Sequence, residues 1–194
     1  MPDLEAILKQ LEREGLNNDS GAVERSDKML NITRDTGEFF RVLVMATGAR
    51  NILEIGTSNG YSTLWLASSL ADDNCKVTTI ESSAAKARLA RDNFRRAGLE
   101  QRIALIQTEA KAYLSGCNER FDILFLDAER SEYMGYIEAI ERILRPGGLM
   151  LVDNALSHAD ELEEFIGYIS GCKRYVTATA TIGKGEFMAW RENQ

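Results

Sequence analysis

The sequence predicts an α/β protein whose largely parallel sheet is covered by helices on both faces. Three observations carry that expectation. Short apolar runs alternate with segments of helical periodicity, glycines sit where a strand would turn into a helix, and several apolar runs stop on an acidic side chain.

The chain opens on an amphipathic helix, with Leu4, Ile7, Leu8 and Leu11 at helical spacing. Residues Asn17 to Ser26 are polar, contain glycine and read as a loop. A second helix is expected from about Asp35 through Met45, carrying Phe39, Phe40, Val42, Leu43 and Val44. Ile52 to Ile55 is the first strand, followed by the loop Gly56 to Gly60 and a helix through Leu64, Trp65 and Leu70. Val77 to Ile80 is the second strand, and the next helix aligns Ala87, Ala90, Phe94 and Ala97 on one face. Ile103 to Ile106 is the third strand, with a short helix at Ala110 to Leu114. Phe121 to Leu126 is the fourth, with a helix over Tyr136, Ile137, Ile140 and Leu144. Pro146-Gly147-Gly148 should end that helix before a fifth strand that closes at Val152. A helix near Glu161 to Ile169 precedes two β-rich runs, Arg174 to Ala180 and Gly185 to Trp190, with Gly183 and Gly185 placed for a hairpin. No repeat or linker interrupts the pattern, and 194 residues suit one well-buried core, so residues 1–194 read as a single domain.

Composition narrows the function. A net charge of −7 argues against a broad, non-specific grip on nucleic acid. Arg88, Arg91, Arg95 and Arg96 cluster locally and read as a solvated helix face. Three cysteines, with no C-x-x-C pair, suggest neither a zinc site nor a redox motif and fit a reducing cytoplasm. The N-terminus lacks a signal-peptide pattern, and no uncharged stretch approaches membrane-spanning length.

Two strand ends carry the chemistry. The fourth strand stops on Asp127 and the fifth on Asp153-Asn154, which puts three oxygen-bearing side chains at the carboxyl edge of the sheet. An all-oxygen set without His or Cys suits Mg²⁺, or Mn²⁺ or Ca²⁺, rather than zinc or copper. The plainer alternatives are a turn or cap at Asp153-Asn154 and a salt-bridged surface acid at Asp127.

The loop Gly56-Thr57-Ser58-Asn59-Gly60 lies between strand and helix, where glycine lets backbone approach a ligand. Its spacing departs from G-x-G-x-x-G, with Ser58 in the place of the second glycine, which argues against NAD. Glu81 closes the second strand, where an acid can bind the hydroxyls of a ribose. Singly, these features also suit a simple turn and the neighbour of a helix cap at Ser82 and Ser83; together they point to an adenosine-type ligand.

Ile52-Leu-Glu-Ile-Gly-Thr-Ser-Asn-Gly-Tyr-Ser62 resembles the first motif of class I S-adenosylmethionine-dependent methyltransferases. It is most similar to the cation-dependent O-methyltransferases of the catechol and caffeoyl-CoA type. Phe121 to Arg130 with Tyr133, and Gly147-Gly148 through Asp153-Asn154, resemble that family's later motifs, so the likeness runs from about Ile32 to Trp190. It implies a Rossmann-like, doubly wound, seven-stranded sheet with an antiparallel last strand. It also implies S-adenosylmethionine as cofactor, held around Glu54, Gly56, Thr57, Ser58, Gly60, Ser62, Glu81 and Ser82, with Ala110 and Lys111 beside the adenine and Asp127 nearby. Thr33 to Gly37 resembles a segment that closes over the methionine end. Asp127, Asp153 and Asn154 match the family's metal ligands.

One position departs from the pattern. The family commonly has a lysine three residues after the first metal aspartate, proposed as general base, and this chain has Arg130. A guanidinium does not readily accept a proton, so Arg130 either stabilises a substrate oxyanion beside Asp127 or is a surface arginine. The only histidine, His158, reads as a solvent-facing residue at a helix start. Segment Ala155 to Asp160 lacks the aromatic-containing insertion of the plant members, which weakens the case for caffeoyl-CoA itself.

The expected activity is methyl transfer to a hydroxyl of a catechol-like small molecule. Methylation of a hydroxylated tRNA base is an alternative that the acidic charge disfavours, and a non-catalytic cofactor-binding protein is another. The apolar stripe of the first helix, within residues 1–31, suits either a lid over the site or a contact in a homodimer.

Overall fold

The computed structural model describes residues 3–22, 24 and 27–193. Strands β1 (Asn51–Ile55), β2 (Lys76–Glu81), β3 (Ile103–Gln107), β4 (Phe121–Leu126) and β5 (Leu144–Val152) are joined as parallel neighbours. With β6 (Tyr175–Ala180) and β7 (Glu186–Arg191) they form one seven-stranded sheet in the order β3-β2-β1-β4-β5-β7-β6. Strand β7 is antiparallel to both β5 and β6, the arrangement expected of the tail.

Alternation along each strand sorts its side chains to two faces. Ile52, Ile123, Phe125, Leu149 and Leu151 meet a layer made by α1 (Leu4–Gly21), α2 (Arg34–Thr47), α3 (Tyr61–Ser68) and α4 (Ala84–Ala97). Leu53, Leu124, Leu126, Met150 and Val152 meet the opposite layer, built from α5 (Ala110–Gly116), α6 (Ile137–Ile143) and α7 (Ala159–Gly171). Burial on both faces explains why β4 reads as an almost unbroken apolar run. Among the described residues no helix is long and apolar enough to cross a membrane.

Helix ends follow local chemistry. The Thr33 and Ser83 hydroxyls accept from the backbone N–H of Thr36 and Lys86 at the starts of α2 and α4, and left-handed Gly48 and Gly98 close those helices. At Gly37 a Cβ would lie 2.4 Å from the Trp65 indole, so the glycine lets α2 pack tightly on α3.

Four expectations are corrected. The polar run from Asn17 is helical as far as Gly21; Asn18 and Asp19 turn their side chains outward to accept from the Met29 N–H, and Asp19 also from that of Leu30. The rest of that expected loop includes Val23, Arg25 and Ser26, which lie outside the described residues. Leu70 is buried beyond the end of α3 rather than within it. Leu144 belongs to β5, paired with Phe121, and Pro146-Gly147-Gly148 falls inside that strand, where the register with β4 shifts. A 3-10 segment, Arg130–Tyr136, precedes α6 and contains the Tyr136 expected in the helix.

Candidate active site

Strand register assembles the site. Ile55 pairs with Ile80 and with Leu126, and Leu126 pairs with Val152. The next residues along these strands, Gly56, Glu81, Asp127 and Asp153, therefore form a row across four adjacent strands at their carboxyl ends. Chain order reverses between β1 and β4, the switch point at which open α/β sheets bind ligands. A cavity of about 720 Å³ opens there.

On the β1–β2 side, the cavity wall is fixed by hydrogen bonds. Glu81 accepts from the Ser58 and Ser83 N–H groups, each at 2.8 Å, so its carboxylate is oriented before any ligand arrives. Gly56 has φ 104°, and a Cβ there would lie 2.0 Å from the Asp127 carbonyl oxygen. A Cβ on Gly60 (φ 86°) would strike the Phe94 ring at 2.4 Å. Both glycines are thus demanded by protein packing, and only Gly56 also lines the cavity.

Glu54 lies fully buried behind the loop. It accepts from the hydroxyls of Ser62 at 2.6 Å, Thr79 at 2.5 Å and Thr63, while Thr79 is also 2.6 Å from the Thr57 hydroxyl. Burial pushes its carboxyl up to about 7 against the pull of those three hydroxyls.

The β4–β5 side carries opposing charges with fewer internal partners. The Asn154 amide donates to Asp127 Oδ1 at 3.2 Å and to Asp153 Oδ2 at 2.9 Å, from a backbone in the left-handed region (φ 70°). Burial and the neighbouring Asp153 hold the Asp127 carboxyl well above the ordinary carboxylate range, with Lys184 and Arg130 opposing. Behind them Glu186 is pushed up to about 11, first by burial and then by Asp153. Its Oε1 accepts from Thr36 at 3.2 Å, and its carboxyl also meets that of Asp153. Among the described residues no group of three His, Cys, Asp or Glu side chains is arranged to hold a metal ion. A three-oxygen set at this edge requires the Asn154 carboxamide.

Of the residues expected at the site, Gly56, Thr57, Ser58, Ser62, Glu81, Ser82, Ala110, Asp127, Arg130 and Asn154 line the cavity. Asp153 lies immediately behind Asn154, and Glu54 acts through Ser62. Thr33 caps α2, Gly60 packs on Phe94, and Lys111 is exposed on α5 away from the wall. Arg130 is 6 % exposed, so the surface-arginine alternative is overturned. His158 is half-buried on the cavity wall rather than facing solvent, with its Nδ1 2.9 Å from the Ser157 hydroxyl.

Two contributors escaped the sequence reading. Lys28 to Ile32 form a strap along the cavity, fastened by Asp19 and by the Ser58 hydroxyl, which donates to the Met29 carbonyl at 2.6 Å. Lys184, in the turn between β6 and β7, reaches the same wall and donates to the Asn31 carbonyl at 3.4 Å. The strap has no periodicity to reveal it. Lys184 sits between two glycines of a hairpin, a signal only of a turn.

A doubly wound sheet with a glycine loop and an acid cluster at its switch point is an architecture that binds ligands at the strand ends. The sequence profile of the O-methyltransferase family matches residues 3–165, so the chain belongs to that family. It is 33% identical over 139 residues to a catechol O-methyltransferase of Niastella koreensis, covering 70% of this chain and 62% of that protein. A catechol O-methyltransferase of Mycobacterium tuberculosis is 34% identical over 134 residues, covering 69% and 60% respectively. The chain thus spans about six-tenths of the length of these relatives. Among solved structures, the O-methyltransferase from Bacillus cereus in complex with SAH superposes with a TM-score of 0.78 at 28% identity, covering 96% of this chain and 91% of that one.

Proposed function

We propose that this protein transfers the methyl group of S-adenosylmethionine to a hydroxyl of a catechol-like small molecule, with a divalent cation, Mg²⁺ by donor type, at the acceptor side. The observation that carries the proposal is a single cavity whose wall joins the oriented Glu81 carboxylate and the glycine loop to Asp127 and Asn154. Relatives named as catechol O-methyltransferases support the choice of acceptor.

The donor chemistry fits a cation. Asp127 and Asp153 approach each other through one carboxamide, and their mutual repulsion is what a cation would relieve. Asp127 and Asp153 would hold it, joined by Asn154 once its carboxamide turns its oxygen from Ser157 towards the acids. A bound cation supplies acidification and orientation of a coordinated hydroxyl. The chain's own residues supply the rest. Glu81 receives ribose hydroxyls in a fixed direction, the strap narrows the cavity on the loop side, and Ser62 is held by Glu54 facing the cofactor half. Alignment of the two reactants in one cavity then removes much of the entropic barrier. Three free cysteines suit a reducing, cytoplasmic setting.

The test uses labelled S-adenosylmethionine with a catechol panel or unmodified tRNA, in Mg²⁺ or in EDTA. Transfer to a catechol that needs Mg²⁺ and is lost in Asp127→Ala is the expected result. Transfer that survives both EDTA and Asp127→Ala would sink the cation, and label entering only tRNA would replace the acceptor.

A further inference from the structure

Arg130 is buried, lines the cavity and is only partly satisfied. Its Nε donates to the Glu161 carboxylate on α7 at 2.8 Å, while its Nη2 is buried with no partner. Leaving a guanidinium N–H buried and unpaired is costly, and such a group in a native cavity calls for a missing acceptor. The side chain starts three residues beyond Asp127 and lines the same cavity as Asp127 and Asn154, so it stands on the acceptor side of the site. Glu161 is anchored on α7 and Arg130 on the 3-10 segment after β4, so the ion pair ties two elements that frame the acceptor half of the cavity. Charged or titratable groups on this wall also include Glu129 just before that segment, Glu132 and Tyr136 within it, His158 before α7 and Lys184 from the hairpin turn.

We infer that Arg130 binds the acceptor as an oxyanion through the guanidinium edge that Glu161 leaves free, with Glu161 as its positioning residue. The inference rests on the proposed O-methyl transfer and identifies the form of acceptor that the site selects. An arginine remains protonated at any working pH and so cannot take the hydroxyl proton. It stabilises the oxygen after that proton has left for solvent, and the methyl group then moves from sulfur to that oxygen. Neutral sulfide and methyl ether result, so charge and atoms balance. The planar fork explains why one carboxylate can hold one edge while another donor stays available for a second anion.

The experiment reads ionisation directly. Wild type, Arg130→Met, Arg130→Lys, Glu161→Gln and the double variant Arg130→Met/Glu161→Leu are mixed with 4-nitrocatechol, Mg²⁺ and S-adenosylhomocysteine. The visible absorption of the catecholate is followed across pH. Folding is checked by circular dichroism, and the double variant guards against loss of fold because it removes the buried guanidinium together with its half-exposed carboxylate partner.

Wild type should lower the apparent pKa of the bound phenol. Arg130→Met and the double variant should give back about one unit or more of that lowering, a tenfold change or greater in the ionisation equilibrium. Arg130→Lys should restore part of it, and Glu161→Gln should fall between wild type and Arg130→Met. Catechol methylation should drop about 10²-fold in Arg130→Met, as for loss of one oxyanion donor. An unchanged bound-phenol pKa in folded Arg130→Met or in the double variant overturns the inference and leaves the proposed function standing. Wild type that binds no nitrocatechol and methylates no catechol overturns both.

Discussion

The two halves of the sheet edge solve opposite problems. At the ends of β1 and β2 the acids are satisfied from within, Glu81 by two backbone N–H groups and Glu54 by three hydroxyls. At the ends of β4 and β5 the acids face one another across a single carboxamide, and Arg130 Nη2 lacks a partner. The first half is complete as protein and needs only to receive a ligand. The second half holds charge that protein alone leaves uncompensated, which is the signature expected of a site finished by what it binds.

The hardest blow to this contrast is Asp153→Ala. Methyl transfer should fall by about 10³-fold, since several kcal/mol of acceptor activation are removed. In wild type, Mg²⁺ should raise the melting temperature, and that rise should vanish in the variant. A cation-induced rise that persists in Asp153→Ala would show that the acid cluster is not where the cation acts.

Gly56→Ala tests whether the seam between the halves is steric. With a Cβ 2.0 Å from the Asp127 carbonyl oxygen and φ at 104°, urea unfolding should show a loss of about 3 kcal/mol. A loss below about 1 kcal/mol, the typical cost of a point mutation, would mean that the loop relaxes freely.

Glu81→Gln probes the satisfied half alone. S-adenosylmethionine binding measured by calorimetry should weaken by about tenfold, the worth of a charged hydrogen bond. The Mg²⁺-induced stabilisation should be unchanged, and a parallel loss of it would couple the two halves more tightly than their hydrogen bonds indicate.

The smallest effect is a pH slope from Glu54. Its carboxyl titrates at about 7 in the fold against 4.5 as the ordinary value, so the folded state holds the proton more tightly. Its contribution to stability is therefore fully present below pH 4.5 and is lost as pH rises through about 7. Thermal unfolding from pH 5 to 8 should show this decline in wild type and a flatter profile in Glu54→Gln. Equal slopes would mean that the three hydroxyls compensate the buried charge in full.

How far the sequence could be read follows the range of the interactions involved. The strand–loop–helix at Ile52 to Leu66 was legible because alternation, glycine and helical spacing are local signals. The tail hairpin was legible for the same reason. Asn17 to Gly21 was not, because a polar residue in a helix is indistinguishable from a loop residue until Met29 and Leu30 arrive to use its side chain. Leu144 was misplaced because its pairing with Phe121, distant in sequence, outweighed the helical spacing that linked it to Ile140.

By itself the sequence determined the βα alternation, the glycine loop and the acids that close β2, β4 and β5, because each follows from neighbours along the chain. Tertiary structure alone decided that Gly56 must be glycine for the sake of Asp127, that the strap and Lys184 share the cavity, and that Arg130 is buried against Glu161. Those outcomes depend on register between strands and on packing between elements far apart in sequence, which no local pattern encodes.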